Sequence, residues 1–413
     1  MDKKTVILAL SWRDIKAPKS GGAEVLSHAM LSRLDPQIYR VIHLSPMFPG
    51  AKKVENIDGV SYIRHGNIGS VIFYAAYYYL KNKGDIDYVI DECNTHHFFT
   101  PFYIPKEKRI LFIHQLTREI WYISAKFPLN VIGHALESWS LRIYRKGKAI
   151  TVSESTKQDL VSLGFDPHQI FIIPNGIHTE IKQFMEEAIP KQKSPTLIYV
   201  GRYASYKGID IAIQAFADVN KQHDDAKLWI VGKENIEYIC ESLVPVLQQY
   251  QLKIYFVNSS TQEAFISRCG SFLIAESQET ADIVIWGFVD EGQKYRLMKS
   301  AWLLLFPSIR EGWGIIVTEA ALLKTPSLVS DAPGCRDAVN YGKAGYICKE
   351  RTPSAFAAEI NRILADPDEY QHIVETSFSY SLPHLWDSSV QQKAIEDLQK
   401  NVFISKSEFA NHE

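Results

Sequence analysis

Short apolar runs recur along the chain, separated by stretches in which apolar positions return every three or four residues. The first pattern predicts buried strands and the second amphipathic helices. Runs at 5–11, 40–45, 60–64, 88–91, 110–114, 149–152 and 170–173 read as strands, with helices near 24–34, 70–82, 133–146 and 154–163 between some of them. A second alternating series begins with a strand at 196–200 and a helix at 209–216. It continues through strands at 228–231, 253–257, 282–286, 303–306 and 327–330. A helix from about Ile315 to Leu323 is closed by Lys324 and Thr325-Pro326, and a last patterned helix spans about 387–402. Such alternation implies parallel sheets covered on both faces. The polar stretch 180–194, with Pro190, reads as a linker, and 258–281 as a loop-rich insert.

Three strand-to-helix junctions carry candidate chemistry. After the strand at 303–306 comes a loop with Glu311, Gly312 and Gly314, then a helix opening at Ile315 with Glu319 about a turn inside. A helix start presents unsatisfied N–H groups and positive dipole, which suits a phosphate, and glycine lets a ligand approach the backbone. Carboxylates repel phosphate, so Glu311 and Glu319 are read as holding hydroxyl groups. The implied ligand carries both phosphates and sugar hydroxyls. The second junction runs from Gly201 to Gly208 and holds Arg202 and Lys207, a pair of cations suited to a diphosphate or else a solvated turn. The third is Gly21-Gly22 ahead of a helix, which alone also fits a plain turn. His114 ends one strand, and 91–94 lies just past another, where ligands of parallel sheets bind; a lone histidine there is more often structural.

Composition narrows the classes. A chain of 413 residues suits two or three domains, and 46% hydrophobic with 22% charged residues is ordinary for a globular protein. A net charge of −2 argues against nucleic acid as a partner. The first 187 residues nonetheless hold 23 basic against 19 acidic side chains. That excess is chance scatter or a surface for something anionic, such as a membrane. Aromatic residues 73–79 beside Lys81 and Lys83, and the cluster Arg142, Arg145, Lys146 and Lys148, make the same choice: core and solvated face, or membrane contact. Five scattered cysteines without a C-x-x-C pair argue against a disulfide framework or zinc site and for a reducing compartment. The N-terminal apolar run is too short for a signal peptide, and the longest, 71–80, is about half a membrane span. Asp85-Ile-Asp87 and Asp366-Pro-Asp368 have the spacing of a metal-binding D-x-D but read as turn or cap residues.

The chain resembles the retaining glycosyltransferases of family 4. The resemblance is carried in order by Gly21-Gly-Ala-Glu24, Thr151-Val-Ser-Glu-Ser-Thr156, Ile172-Ile-Pro-Asn-Gly-Ile177, Val200-Gly-Arg202 with Lys207-Gly208, Gly287-Phe-Val289, and Glu311 to Glu319 running into Thr325-Pro and Ser330-Asp331. The opening Trp12-Arg-Asp14 resembles, more loosely, a bacterial and archaeal branch of surface-polysaccharide assembly. The resemblance implies an α/β, GT-B architecture of two facing Rossmann-like domains: residues 1–187 on the acceptor side and 193–375 for the nucleotide sugar. A C-terminal helix near 386–403 would cross back to the first domain. It implies that Arg202 and Lys207 bind the donor diphosphate, that Glu311 contacts the sugar and that Glu319 holds the ribose. Gly21, Gly22, Gly312, Gly314 and Ile315 would offer backbone to phosphate or sugar. Gly287, Phe288 and Val289 would border the base, and His114 would lie near the transferred sugar. The catalytic set so implied is Glu311, His114, Arg202 and Lys207, with neither metal nor cofactor.

Three departures stand out: His114-Gln115 where the family often has His-Asp, Trp313 for the commoner Phe, and a long 258–281 segment. No carboxylate pair has the nucleophile and acid/base roles of a retaining hydrolase, which suits a family thought to react on one face. The expected function is sugar transfer from a nucleotide-sugar donor to a hydroxyl of a glycan or lipid-linked acceptor in surface polysaccharide or glycoconjugate synthesis. The expected location is cytoplasmic, peripheral at the inner face of the plasma membrane. The alternatives are a sugar-nucleotide epimerase, a phosphorylase, or a non-catalytic binding protein of this fold.

Overall fold

The computed structural model describes residues 3–18, 20–93 and 97–403. The chain divides into two compact units. One comprises residues 1–118, 127–176 and 386–413; the other comprises 119–126 and 177–385. The division falls after Gly176 rather than at 187–193, and the second unit runs to Leu385 rather than 375. It also takes in residues 119–126, which alternation along the chain cannot assign.

The first unit is built on eight strands: β1 (Thr5–Leu10), β2 (Tyr39–Ser45), β3 (Val54–Ile57), β4 (Val60–Arg64), β5 (Tyr88–Cys93), β6 (Arg109–Ile113), β7 (Lys148–Thr151) and β8 (Ile170–Ile172). Their order is β3-β4-β2-β1-β5-β6-β7-β8, parallel except for the edge strand β3, which turns back on β4. Asp58 and Gly59, both at positive φ, make that reversal. β1 is buried along its whole length, as an apolar run between two helical layers must be. Asp91 lies inside β5 rather than past it, and Asn94 lies outside the described residues.

The second unit holds β9 (Thr196–Val200), β10 (Lys227–Val231), β11 (Ile254–Phe256), β12 (Ile283–Gly287), β13 (Leu303–Phe306), β14 (Ser327–Ser330) and β15 (Tyr346–Cys348). All are parallel, in the order β11-β12-β10-β9-β13-β14-β15. The order reverses between β9 and β13, so the carboxyl ends of these two strands flank the crevice where such sheets bind ligands. Leu197, Tyr199, Phe216, Ile230, Phe256 and Leu305 belong to the core packed on this sheet.

Several expectations are corrected. The 180–194 stretch contains helix Ile181–Glu186, which buries Ile181 and Phe184, the latter 5.3 Å from the Tyr295 ring. Two apolar residues three apart anchor one turn of helix that the surrounding polarity hides. The 258–281 insert contains helix Ser259–Cys269, capped by the Asn258 side chain on the Ser260 N–H at 3.1 Å. Cys269 is joined to Cys240 as a disulfide, against the expectation of no disulfide framework; Cys93, Cys335 and Cys348 are buried. The last helix, Ser389–Asn401, belongs to the first unit as the resemblance implies. There Tyr39 Oη donates to the Phe403 carbonyl at 2.7 Å, and Lys148 Nζ donates to the Asn401 carbonyl at 2.8 Å. Trp386 starts this return by packing flat against Gly176, where any Cβ would lie 2.3 Å from the indole. Among the described residues no helix is long and apolar enough to cross a membrane.

Candidate active site

The turn after β9 is pinned from three sides. Tyr199 Oη donates to the Arg202 carbonyl at 3.0 Å, the Ile309 N–H donates to the Tyr206 carbonyl at 2.9 Å, and Gly208 sits at φ +74 against the end of β13. A Cβ on Gly208 would lie 2.3 Å from the Pro307 carbonyl oxygen, so only glycine lets the two strand ends close up. Arg351 ties the same two ends, donating to Pro307 at 2.7 Å and to Ser205 at 3.1 Å. The result brings Lys207 Nζ within 2.5 Å of Glu311 Oε1, both side chains largely buried. Two residues 104 positions apart therefore form one charge pair. Arg202 does not join it; its guanidinium is exposed, donates to Tyr206 Oη at 2.5 Å and lies over that ring.

The loop carrying Glu311 is held by its backbone. The Glu311 N–H donates to the Pro333 carbonyl at 3.0 Å, and a Cβ at Gly334 would lie 2.1 Å from the Glu311 carbonyl oxygen. The neighbouring Arg310, buried, grips Glu119 with two hydrogen bonds of 2.7 and 3.2 Å. Gly314, at φ +95, then opens helix Ile315–Leu322 without a capping side chain. The first N–H groups of a helix have no partner within it, and here they belong to half-buried Ile315 and Ile316, with half-buried Gly312 shortly before them. Trp313 turns inward, and its indole N–H donates to Thr318 Oγ1 at 2.9 Å. That partner explains how a tryptophan fits where Phe is the commoner residue.

Glu319 is buried one turn into this helix, 2.8 Å from Lys294 Nζ. Burial pushes its carboxyl above the ordinary value while the Lys294 ammonium pulls it down. For Lys294 burial acts downward, but the Glu319 and Glu291 carboxylates outweigh it and hold the ammonium above its usual range. Lys294 belongs to helix Glu291–Ser300. Its one signal in the sequence is position: three and four residues before Leu297 and Met298, it stands on that helix's apolar stripe. At the end of β12, Gly287 has φ +70, and a Cβ there would lie 2.2 Å from Glu234 Oε1. Glu234 in turn accepts from Thr261 Oγ1 at 3.1 Å. Phe288 is exposed and Val289 half-buried just beyond that strand.

The remaining candidates belong to the first unit, all at carboxyl ends of its strands. The Gly21 N–H donates to Glu24 Oε2 at 2.7 Å, Gly22 starts helix Gly22–Leu31, and buried Glu24 pairs with Arg13 at 3.1 Å. Buried Glu92, bonded to Ser27, is raised to about 7, chiefly by burial. His114 follows β6; its carbonyl accepts from Thr156 Oγ1 at 3.2 Å, and burial lowers its imidazole to about 4. It is therefore neutral at physiological pH. Among the described residues no group of three His, Cys, Asp or Glu side chains gathers as a metal site. Asp366 caps a helix through the Glu369 N–H at 2.9 Å, and Asp87 accepts from the Val6 N–H at 2.9 Å.

Two parallel-sheet α/β units, the second with glycine turns and a helix start at its strand-order reversal, define the GT-B class of fold. A family model for glycosyl transferases group 1 matches residues 180–379, and one for glycosyltransferase family 4 matches residues 20–181. The chain belongs to this glycosyltransferase family. An uncharacterized glycosyltransferase of Methanocaldococcus jannaschii is 27% identical over 255 residues, 59% of this chain and 57% of that protein. The chain spans about half the length of the curated relatives it matches. Sucrose-phosphate synthase from Thermosynechococcus elongatus superposes with a TM-score of 0.70 at 16% identity, over 97% of this chain and 99% of that one. Anabaena HepE, solved in complex with UDP-glucose, superposes at 0.60 with 16% identity, over 96% of this chain and 99% of that one.

Proposed function

We propose that the protein transfers a glycosyl group from a nucleotide-sugar donor to a hydroxyl of a glycan or lipid-linked acceptor, with retention of anomeric configuration. The observation that carries this reading is the second unit's pairing of Lys207 with Glu311 beside the start of helix Ile315–Leu322, with Glu319 buried one turn on. One cation, a row of helix N–H groups and two carboxylates match a ligand that alternates diphosphate with hydroxyl-bearing rings. Lys207, with Arg202 at the rim of the same turn, would neutralise the diphosphate. Glu311 would accept from sugar hydroxyls and Glu319 from the ribose. Gly312, Gly314 and Ile315 would offer N–H groups to phosphate, and Gly287, Phe288 and Val289 would border the base.

In the reaction the bond from the anomeric carbon to the diphosphate oxygen breaks as the acceptor oxygen bonds to that carbon on the same face. The acceptor's proton passes to the departing phosphate oxygen. Lys207 and the helix start stabilise the charge that grows on that oxygen, so their contribution is larger in the transition state than in the bound donor. In the first unit, Gly21 and Gly22 would contact phosphate or sugar through the backbone. Neutral His114 would serve the sugar as a hydrogen-bonding group rather than as a charge. A role in surface polysaccharide or glycoconjugate synthesis follows from the branch that the chain's opening resembles.

A panel of nucleoside-diphosphate sugars, scored for thermal stabilisation and slow hydrolysis, tests the proposal without an acceptor. One donor should raise the melting temperature and release its nucleoside diphosphate. If none is bound or hydrolysed, the donor reading is wrong.

A further inference from the structure

Helix Leu129–Arg142 of the first unit presents its apolar side outward. Phe127, Leu129, Val131, Ile132, Leu136 and Trp139 are between 47% and 82% exposed. Positions 129, 132, 136 and 139 recur at helical spacing, so these four form one stripe along the helix. The helix is anchored near its C-terminal end, where Ser138, Ser140 and Leu141 are buried and Ser140 Oγ lies 2.9 Å from His97 Nε2. A contiguous outward apolar stripe of this kind marks a surface that another phase or molecule covers.

Charge decides which. In the last turn and just beyond it, Arg142, Arg145 and Lys146 are all exposed. Between residues 127 and 148 the sequence has a single acid, Glu137. Its carboxylate is turned in, accepting the backbone N–H groups of Thr117 and Arg118. The stripe is thus bordered by cations with no outward carboxylate on the same segment. A protein partner is ordinarily met by mixed charges at the rim, whereas apolar side chains bordered by arginine and lysine suit a bilayer surface with anionic headgroups. We infer that helix Leu129–Arg142 is a membrane-docking element: Leu129, Ile132, Leu136 and Trp139 enter the acyl boundary while Arg142, Arg145 and Lys146 meet lipid phosphates. The other aromatic helix, Ser70–Asn82, buries Val71, Ala75 and Tyr79 in the core and exposes Phe73, Tyr77 and Leu80. This inference rests on the surface alone and is independent of the donor site.

Co-sedimentation of the full chain with phosphatidylcholine vesicles, with and without phosphatidylglycerol, tests it. The protein should sediment with the anionic vesicles at low salt and be released as salt rises. Leu136→Glu with Trp139→Glu should weaken binding at least tenfold. The triple change Arg142→Gln, Arg145→Gln, Lys146→Gln should weaken it on the order of a hundredfold, each cation contributing about a factor of five. Both sets lie on the surface, and melting temperatures close to wild type show that the loss is not unfolding. No sedimentation with anionic vesicles at low salt overturns the inference, as does binding that both variants leave intact. So does a wild-type dimer that Leu136→Glu dissolves in a protein without vesicle affinity, since a second copy would then cover the stripe.

Discussion

Replacing Lys294 by methionine isolates the charge pair beneath the proposed ribose site. Lys294 and Glu319 are each about nine-tenths buried and lie 2.8 Å apart, so removing the ammonium leaves a carboxylate in the core without its countercharge. Breaking a buried pair from one side is expected to lower stability by about 3–5 kcal/mol. For a unit of this size each kcal/mol moves the transition by about 2–4 °C, which gives a fall of roughly 6–20 °C. The contact of Lys294 with Glu291 adds little, because the Glu291 side chain is 68% exposed. The pH dependence carries the sign. A carboxyl whose folded pKa is raised gives its stability in full below the ordinary value of 4.5 and loses it as pH rises through the folded value. Without Lys294 nothing offsets the burial, so that loss deepens toward neutral pH. The gap between wild type and Lys294→Met should be wide at pH 7–8 and narrow near pH 5. Lys294 itself, raised above 10.5, gives its contribution below that value and loses it only in strong alkali. Adding Glu319→Gln to Lys294→Met should recover much of the stability, since a neutral pair leaves no buried charge. Thermal unfolding across pH reads all of this. A Lys294→Met protein melting within about 2 °C of wild type at every pH would refute the argument.

Two other substitutions probe the same loops. Lys207→Ala removes the charge-assisted contact proposed to the diphosphate and should weaken nucleoside-diphosphate binding by about 1.5–3 kcal/mol, measured by calorimetry; unchanged affinity would make the turn after β9 purely structural. Gly334→Ala places a Cβ against the Glu311 carbonyl, at a backbone φ of +78. It should destabilise by about 1–3 kcal/mol and lower transfer although position 334 need touch no ligand, and a protein melting and turning over like wild type would contradict this.

Strand positions were legible because apolar runs of four to six residues in a parallel sheet must be buried on both faces. β3 and β15 were not: the residues of β3 are partly exposed, as those of an antiparallel edge strand can be, and the three residues of β15 make too short a run to mark a strand. The glycine turns and the two glutamates were legible through the resemblance. Lys207 was legible as a cation in a strand-to-helix turn, but not as the partner of Glu311 from 104 positions away. Lys294 was invisible for a related reason: a lysine on an amphipathic helix looks solvated until the acid that buries it is known. The Cys240–Cys269 link depends on the fold of a segment that reads as loop, so spacing alone could not propose it. Glu119 and Arg310 likewise meet only because residues 119–126 join the second unit.

The most direct measurement compares Glu319→Gln with Glu311→Gln on a donor that the wild type accepts. Ribose is remote from the reacting carbon, so Glu319 should be felt alike by bound donor and transition state. Its loss should raise the donor KM and weaken inhibition by the nucleoside diphosphate. Glu311, beside Lys207, is assigned to the sugar. Its loss should chiefly lower kcat and leave nucleoside-diphosphate affinity nearly intact, because that product carries no sugar. Thermal unfolding of each variant separates a kinetic loss from a structural one. If Glu311→Gln loses nucleoside-diphosphate affinity as badly as Glu319→Gln, the division of sugar and ribose between the two carboxylates is wrong.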